Sequence, residues 1–259
     1  MTNQIIQIGQ IDLSFHKVAA AVVLAYFDTI GQEYQLHTAP HEKLFEKYKN
    51  GDIDLVLGAW LPSSHGKYIK EVENETLKFS TLYQPFCIWG VPDYVPASAV
   101  SKVGDIANPK IAEKFNKTIQ GINEGAGITR FSRNIIKTYG LDNLGFEFKN
   151  GSVADCTNAF IEAYKKKEWV IIPLWEPQYL FHSYAIRALE EPKGLLGSVD
   201  NSTIIMHKNA VSKLKPEALQ FIKEIKLGNS LVTEFDYDYQ VLGLKPSEIA
   251  KKYVNTKLL

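Results

Sequence analysis

Two breaks in the chain limit its folding more than any other feature. Gly90–Pro96 and Gly197–Thr203 are both rich in the Gly, Pro, Asp, Asn and Ser residues that build connectors. Between them, roughly over residues 95–199, lies a complete set of strand and helix patterns. The first 90 residues hold several strands, whereas the tail reads as almost entirely helical. Amphipathic helices cannot bury their apolar faces alone, so this tail is expected to return and cover the first sheet. The result is an α/β fold of two lobes with a ligand cleft between them and two crossover segments. Lobe I is expected over 1–92 plus 201–259 and lobe II over 93–200. Two lobes strung in series would instead leave the tail packed on its neighbour in sequence.

Local patterns fill in the lobes. Ile5–Ile11 reads as a strand, and Ser14 as the cap of a helix that buries Val18, Val22, Val23 and Tyr26. Tyr34–His37 reads as a strand, His41–Asn50 as a helix ended by Asn50-Gly51, and Asp54–Ala59 as a strand covered on both faces. This alternation predicts a parallel sheet. Further strands are expected at Phe86–Val91, Thr118–Ile122, Phe146–Lys149, Val170–Leu174 and Ser202–His207. Helices are expected over 128–139, 152–167, 216–226, 230–240 and 246–252.

Composition removes several classes of function. A length of 259 residues suits one large domain or two modest ones, and 45% hydrophobic with 22% charged residues excludes wholesale disorder. Lys plus Arg and Asp plus Glu both number 29, which argues against general nucleic-acid binding. Two cysteines, Cys87 and Cys156, build neither a disulfide scaffold nor a four-cysteine zinc site, and are expected as buried free thiols. No apolar run approaches the ~18–20 residues needed to span a bilayer. Met1-Thr2-Asn3-Gln4 lacks the basic start of a secretion signal, so the protein either stays inside the cell or is a mature form.

Catalytic signatures are missing: there is no Gly-x-Ser-x-Gly elbow, no phosphate loop ending in Gly-Lys-Ser/Thr and no His-Glu-x-x-His. Gly121–Gly127 has the wrong spacing for a dinucleotide loop. It is either a tight strand-to-helix turn or a set of N–H donors aimed at an anion. His37 and His41 are four apart, but Pro40 interrupts them and they are expected as a surface pair. Glu71, Glu73, Glu190 and Glu191 read as solvated faces. Neither a cofactor, a metal nor a catalytic residue is expected.

The tryptophans say more. Trp60 follows the apolar run 54–59 and precedes Leu61-Pro62, while Trp175 follows the run 170–174 and precedes Glu176-Pro177. Each stands where a buried strand runs out, one in each lobe, and ligands of open α/β sheets bind at such strand ends. Facing indoles suit a quaternary ammonium, which has no N–H to donate but is drawn to aromatic faces by about 0.5–2 kcal/mol per contact. The anionic end of a zwitterion would need donors, and His65 with the N–H groups of Gly127 and Ile128 offers them.

Four separated motifs then carry a resemblance over nearly the whole chain. They are Gly58-Ala59-Trp60-Leu61-Pro62-Ser63-Ser64-His65 with Tyr68; Val91-Pro92-Asp93-Tyr94-Val95; Gly125-Ala126-Gly127-Ile128; and Pro173-Leu174-Trp175-Glu176-Pro177, extended by Tyr184 and Leu189–Pro192. In order and spacing the sequence resembles the glycine betaine/proline betaine/choline-binding proteins of ABC importers, the quaternary-amine uptake family. The resemblance implies a class II, periplasmic-binding-protein-like fold. Such a fold closes on a trimethylammonium compound outside the cytoplasm, any signal having been removed, and delivers it to ABC permease subunits. It implies a monomer that is not an enzyme.

Carried over residue by residue, Trp60 and Trp175 are similar to two walls of the family's aromatic box. His65 is similar to the histidine that bonds the ligand carboxylate in some members, and Gly127 and Ile128 to the backbone donors that share this task. Where some relatives have a third tryptophan, this chain has Ile11-Asp12-Leu13-Ser14-Phe15-His16. There Phe15 stands in with a weaker quadrupole, or Asp12 faces the cation directly. Trp89, Tyr83 and Tyr179 are further candidates for the box, and Trp169 is expected to pack at its strand's start. Three alternatives stay open at this level: a binder of another small zwitterion, a ligand-sensing domain, or an enzyme using Asp12, Glu124, His16 and His65.

Overall fold

Twelve of the sixteen residues of the helix Ser14–Thr29 are buried, among them Val18, Ala20, Val22, Val23 and Phe27. A helix apolar on every side must be covered on every side. The computed structural model describes residues 5–257 and shows how this is done. In chain order the first elements are β1 (Ile6–Ile11), α1 (Ser14–Thr29), β2 (Tyr34–Ala39), α2 (His41–Lys49), β3 (Leu55–Leu61), α3 (Gly66–Ile69) and β4 (Thr76–Thr81). Next come β5 (Phe86–Pro92), α4 (Pro109–Ala112), β6 (Thr118–Gln120), α5 (Gly127–Thr138), β7 (Glu147–Lys149), α6 (Val153–Lys165), β8 (Ile172–Glu176), α7 (Leu180–Ser183) and β9 (Ile186–Ala188). The chain ends with β10 (Asn201–His207), α8 (Pro216–Glu224), α9 (Asn229–Gln240) and α10 (Pro246–Lys257).

Contacts divide the chain into two compact units. The first comprises Met1–Pro85, Pro177–Tyr179 and Asp200–Leu259; the second comprises Phe86–Glu176 and Leu180–Val199. The division falls at Pro85 and Phe86 rather than at the expected 92 and 93. Its cause is β5, which pairs over its length with β8 and β9 of the second unit.

The first unit is built on a five-stranded sheet in the order β2-β1-β3-β10-β4. One side of α1 packs on β3 and β1, and α9 and α10 cover the other. The expected parallel arrangement is met by β2, β1 and β3. It fails at β10, which runs antiparallel to both β3 and β4. A strand that arrives without a helical crossover is free to enter antiparallel. Asp54, at the entry to β3, holds the sheet's margin: its carboxylate accepts from the Gln7 N–H at 2.8 Å and pairs with the Lys213 ammonium at 2.8 Å. Ser14 is not the cap of α1. Leu13 occupies that position in extended backbone, and no side chain caps the helix.

The second unit carries an antiparallel sheet, β8-β5-β9, and a parallel pair, β6-β7. α5 packs on β5, β7 and β8, and α6 on β6 and β8. Ser152 and Asp155 form a reciprocal capping box at the start of α6, with bonds of 2.7 and 3.1 Å. Cys87 and Cys156 are free thiols; Cys87 is half-buried, and Cys156 is buried, which pushes its thiol up to about 12. No helix among the described residues is long and apolar enough to cross a membrane. The reading of Met1–Gln4 lies outside the described residues.

Candidate functional site

In the first unit the site begins with a glycine. Gly58 has φ +88°, and a Cβ there would lie 2.9 Å from Ser202 Oγ and 3.4 Å from His16 Nδ1. Only glycine lets β3 approach α1 and β10 this closely in that backbone conformation. Trp60 is the penultimate residue of β3, and the Leu61–Pro62 peptide that follows is cis.

The loop beyond is then tied back onto its own start. Trp60 donates its backbone N–H to His65 Nδ1 at 2.9 Å, and His65 donates its N–H to the Trp60 carbonyl at 2.8 Å. A ring nitrogen that accepts from an N–H carries no proton, so the neutral His65 imidazole keeps its proton on Nε2. The buried carboxylate of Asp200 accepts the N–H of Ser63 at 2.6 Å and of Ser64 at 2.9 Å. Two charge-assisted bonds therefore fix the middle of the loop.

The Trp60 ring is held as firmly as its backbone. Its indole N–H donates to the Tyr83 hydroxyl at 3.1 Å, and the two rings stand edge to face at 89°. Phe15 and His16 on α1 each place a ring centroid 5.3 Å from Trp60. The predicted partners Trp60, His65, Phe15 and Tyr83 thus share one cluster. Burial pushes the Tyr83 hydroxyl well up, so it remains a neutral partner for the indole.

Asp12 does not join them. It lies on the exposed first turn beside α1, where its carboxylate meets the Lys17 ammonium at 2.5 Å. His41 also departs from expectation: it is 3% exposed, with its ring 5.1 Å from His65, rather than paired on the surface with His37. His37 instead bonds Gln7 Oε1 at 2.7 Å. Tyr179 donates its N–H to the Asp236 carboxylate at 3.0 Å. Asp236 is buried, and that burial raises its carboxyl to about 6.

In the second unit Trp175 is the penultimate residue of β8, opposite Cys87 of β5 and 1% exposed. Trp89 is core: its indole N–H donates to Ser132 Oγ on α5 at 2.8 Å. Trp169 packs edge to face on Phe115. Gly127 and Ile128 form the first turn of α5, whose leading N–H groups have no partner within the helix and carry its positive end. The preceding turn is braced. A Cβ at Gly121 would come 1.9 Å from the Phe148 ring, and Thr129 Oγ1 donates to the Asn123 carbonyl at 2.8 Å. The Arg133 guanidinium and the Asn150 amide hold the Glu124 carboxylate on the surface.

Against this geometry, one family matches residues 4–256: OpuAC, the substrate binding domain of ABC-type glycine betaine transport systems. The chain belongs to this family. OpuAC domains serve transport and are not a class of enzymes. Among curated proteins, the chain is 32% identical over 152 residues to the glycine betaine/carnitine transport binding protein GbuC of Listeria monocytogenes. That match covers 57% of this chain and 49% of GbuC, so the chain spans about half the length of this relative. Two crystal structures share the fold. The glycine/betaine/L-proline-binding protein ProX of Borrelia burgdorferi has a TM-score of 0.85 at 19% identity, covering 98% of this chain and 94% of its own. Lactococcal OpuAC, complexed with glycine betaine, has a TM-score of 0.83 at 24% identity, covering 97% of this chain and 95% of its own. Both belong to the two-lobed binding-protein class of mixed α/β fold.

Proposed function

We propose that this OpuAC-family chain binds a quaternary-ammonium osmolyte outside the cytoplasm and passes it to ABC permease subunits. Glycine betaine, proline betaine and choline are the ligands its residues suit. One observation carries the reading: the Trp60 indole N–H is already engaged by Tyr83, so the ring has no donor left and can meet a ligand only through its π system. Phe15 supplies a second face 5.3 Å away. A cation without hydrogens on nitrogen is the ligand that such surfaces attract. In this reading Trp175 contributes a further indole from the second unit. His65 Nε2–H and the Gly127 and Ile128 N–H groups serve the carboxylate of a zwitterion.

A thermal-shift panel of glycine betaine, proline betaine, carnitine, choline, ectoine and proline tests the proposal. A ligand present well above its Kd raises Tm by mass action. The expected result is an upward shift with trimethylammonium compounds. A shift confined to ectoine or proline would overturn the quaternary-amine reading.

A further inference from the structure

Three histidines from three separate elements meet inside the first unit. His16 lies on α1, His41 opens α2, and His65 precedes α3. Their ring centroids are 6.4 Å (His16–His41), 6.0 Å (His16–His65) and 5.1 Å (His41–His65) apart. All three are at most 3% exposed. Phe15, Phe45, Trp60 and Tyr68 complete an aromatic shell, each with its ring within 6.4 Å of at least one of the three. Neither ring nitrogen of His16 has a hydrogen-bond partner among the described residues. Among those residues no group of three or more His, Cys, Asp or Glu side chains could hold a metal ion. The three imidazoles meet as packed rings rather than as a ligand set.

Such a cluster tolerates little charge. A buried imidazolium loses its hydration, and a second one 5–6 Å away would add like-charge repulsion at low dielectric. Burial first, and His41 second, hold His16 well below the usual histidine range. His41 stands at the positive end of α2, which also disfavours a charge. The remaining charged groups nearby are already engaged. Asp236 on α9 accepts the Tyr179 N–H, Asp200 beside β10 holds Ser63 and Ser64, and Asp12 pairs with Lys17. Glu42 is exposed on the first turn of α2, and the Lys67 ammonium, 4.6 Å from the Tyr68 ring, adds positive charge. Tyr83, its hydroxyl pushed well up by burial, contributes a neutral group.

The cluster is joined to Trp60 through one atom. His65 Nδ1 accepts the Trp60 backbone N–H at 2.9 Å, and a protonated Nδ1 cannot accept. Charging His65 would turn two donors against each other in a buried place. We propose that His16, His41 and His65 form an acid-operated release: uncharged, they hold the Trp60–His65 loop in place, and their protonation frees the loop and lowers ligand affinity. The affinity half of this proposal rests on the ligand reading above; the loop half does not. The direction follows from linkage. A histidine held below its unfolded value near 6.5 contributes its full stability above about pH 6.5 and loses it as pH falls toward the folded value.

Ring-nitrogen NMR of the wild-type, ligand-free protein between pH 8 and 4.5 tests the loop half. The expected result is a cluster still uncharged at pH 6, with His65 Nδ1 unprotonated, and loss of the Trp60 amide signal position when the cluster charges. Independent titration of the three rings near pH 6.5 with an unmoved Trp60 amide would overturn it. Calorimetry with glycine betaine and choline at pH 7.5 and 5.0 tests the affinity half. At least a tenfold loss at pH 5.0 relative to pH 7.5 is expected in the wild type, falling below threefold in His65→Asn, which keeps an acceptor for the Trp60 N–H and cannot be charged. Equal wild-type affinity at both pH values would overturn it. Failure of both compounds to bind at either pH would instead defeat the ligand reading and leave the NMR result to decide the release.

Discussion

Trp60 and His65 close a ring of two hydrogen bonds on each other. The backbone N–H of Trp60 enters the His65 imidazole at 2.9 Å, and the backbone N–H of His65 returns to the Trp60 carbonyl at 2.8 Å. The histidine side chain therefore acts as part of the loop's backbone pairing, in addition to any role toward a ligand. These two duties are separable by substitution.

In His65→Asn the side-chain amide oxygen takes the place of Nδ1, so the Trp60 N–H keeps an acceptor. His65→Leu leaves that N–H buried and unpaired, which costs about 1–3 kcal/mol. Denaturant unfolding should show His65→Leu less stable than His65→Asn by that amount. Both variants lose the Nε2 donor, so both should weaken glycine betaine more than choline in calorimetry. Equal losses for the two compounds would mean that His65 shapes the pocket without reading an anion.

Trp60→Ala and Trp175→Ala should each weaken binding of the true ligand at least tenfold, about 1.4 kcal/mol. Calorimetry with the compound that gives the largest thermal shift measures this. Unchanged affinity in both variants would remove the aromatic box.

Asp200→Ala should loosen the same loop from its other end. Ser63 and Ser64 lose the carboxylate that accepts both of their N–H groups. Hydrogen exchange at those two amides should rise, and Tm should fall by several degrees. Amide protection equal to wild type would show that the clamp contributes nothing.

Asp236→Asn should stabilise the protein at neutral pH. Burial raises this carboxyl from its ordinary value of 3.8 to about 6, so the folded state binds the proton more tightly than the unfolded chain. The resulting stability is complete below about pH 4 and is lost as pH rises through 6. Asparagine keeps an acceptor for the Tyr179 N–H and carries no charge. The variant's Tm should exceed wild type at pH 7.5 by several degrees, reflecting at most ~3 kcal/mol, and should match it near pH 4. A difference independent of pH would sink this account.

What the sequence reveals about the site follows from how local each signal is. Trp60 and Trp175 announce themselves because an apolar run ends on each, and both prove to be penultimate residues of their strands. Phe15 is legible only by its place in the first strand-to-helix turn. Asp200 leaves no such trace, because its partners Ser63 and Ser64 are 137 and 136 residues away. His41 reads as surface because Pro40 and the polar residues of α2 surround it; its burial comes from α1 and the loop before α3, which no local pattern contains. The strand β4 escapes notice for a similar reason. Its residues Thr76–Thr81 are only partly buried, since it lies at the margin of the sheet and is fixed by pairing with β10.

That placement of β10 governs the order in which the molecule can be completed. In the first unit's sheet it lies between β3 and β4, yet its residues 201–207 follow the whole of the second unit in the chain. During synthesis the amino-terminal strands must wait on the ribosome with two facing edges unpaired, a condition that invites wrong partners. The half of the protein made first is the half finished last.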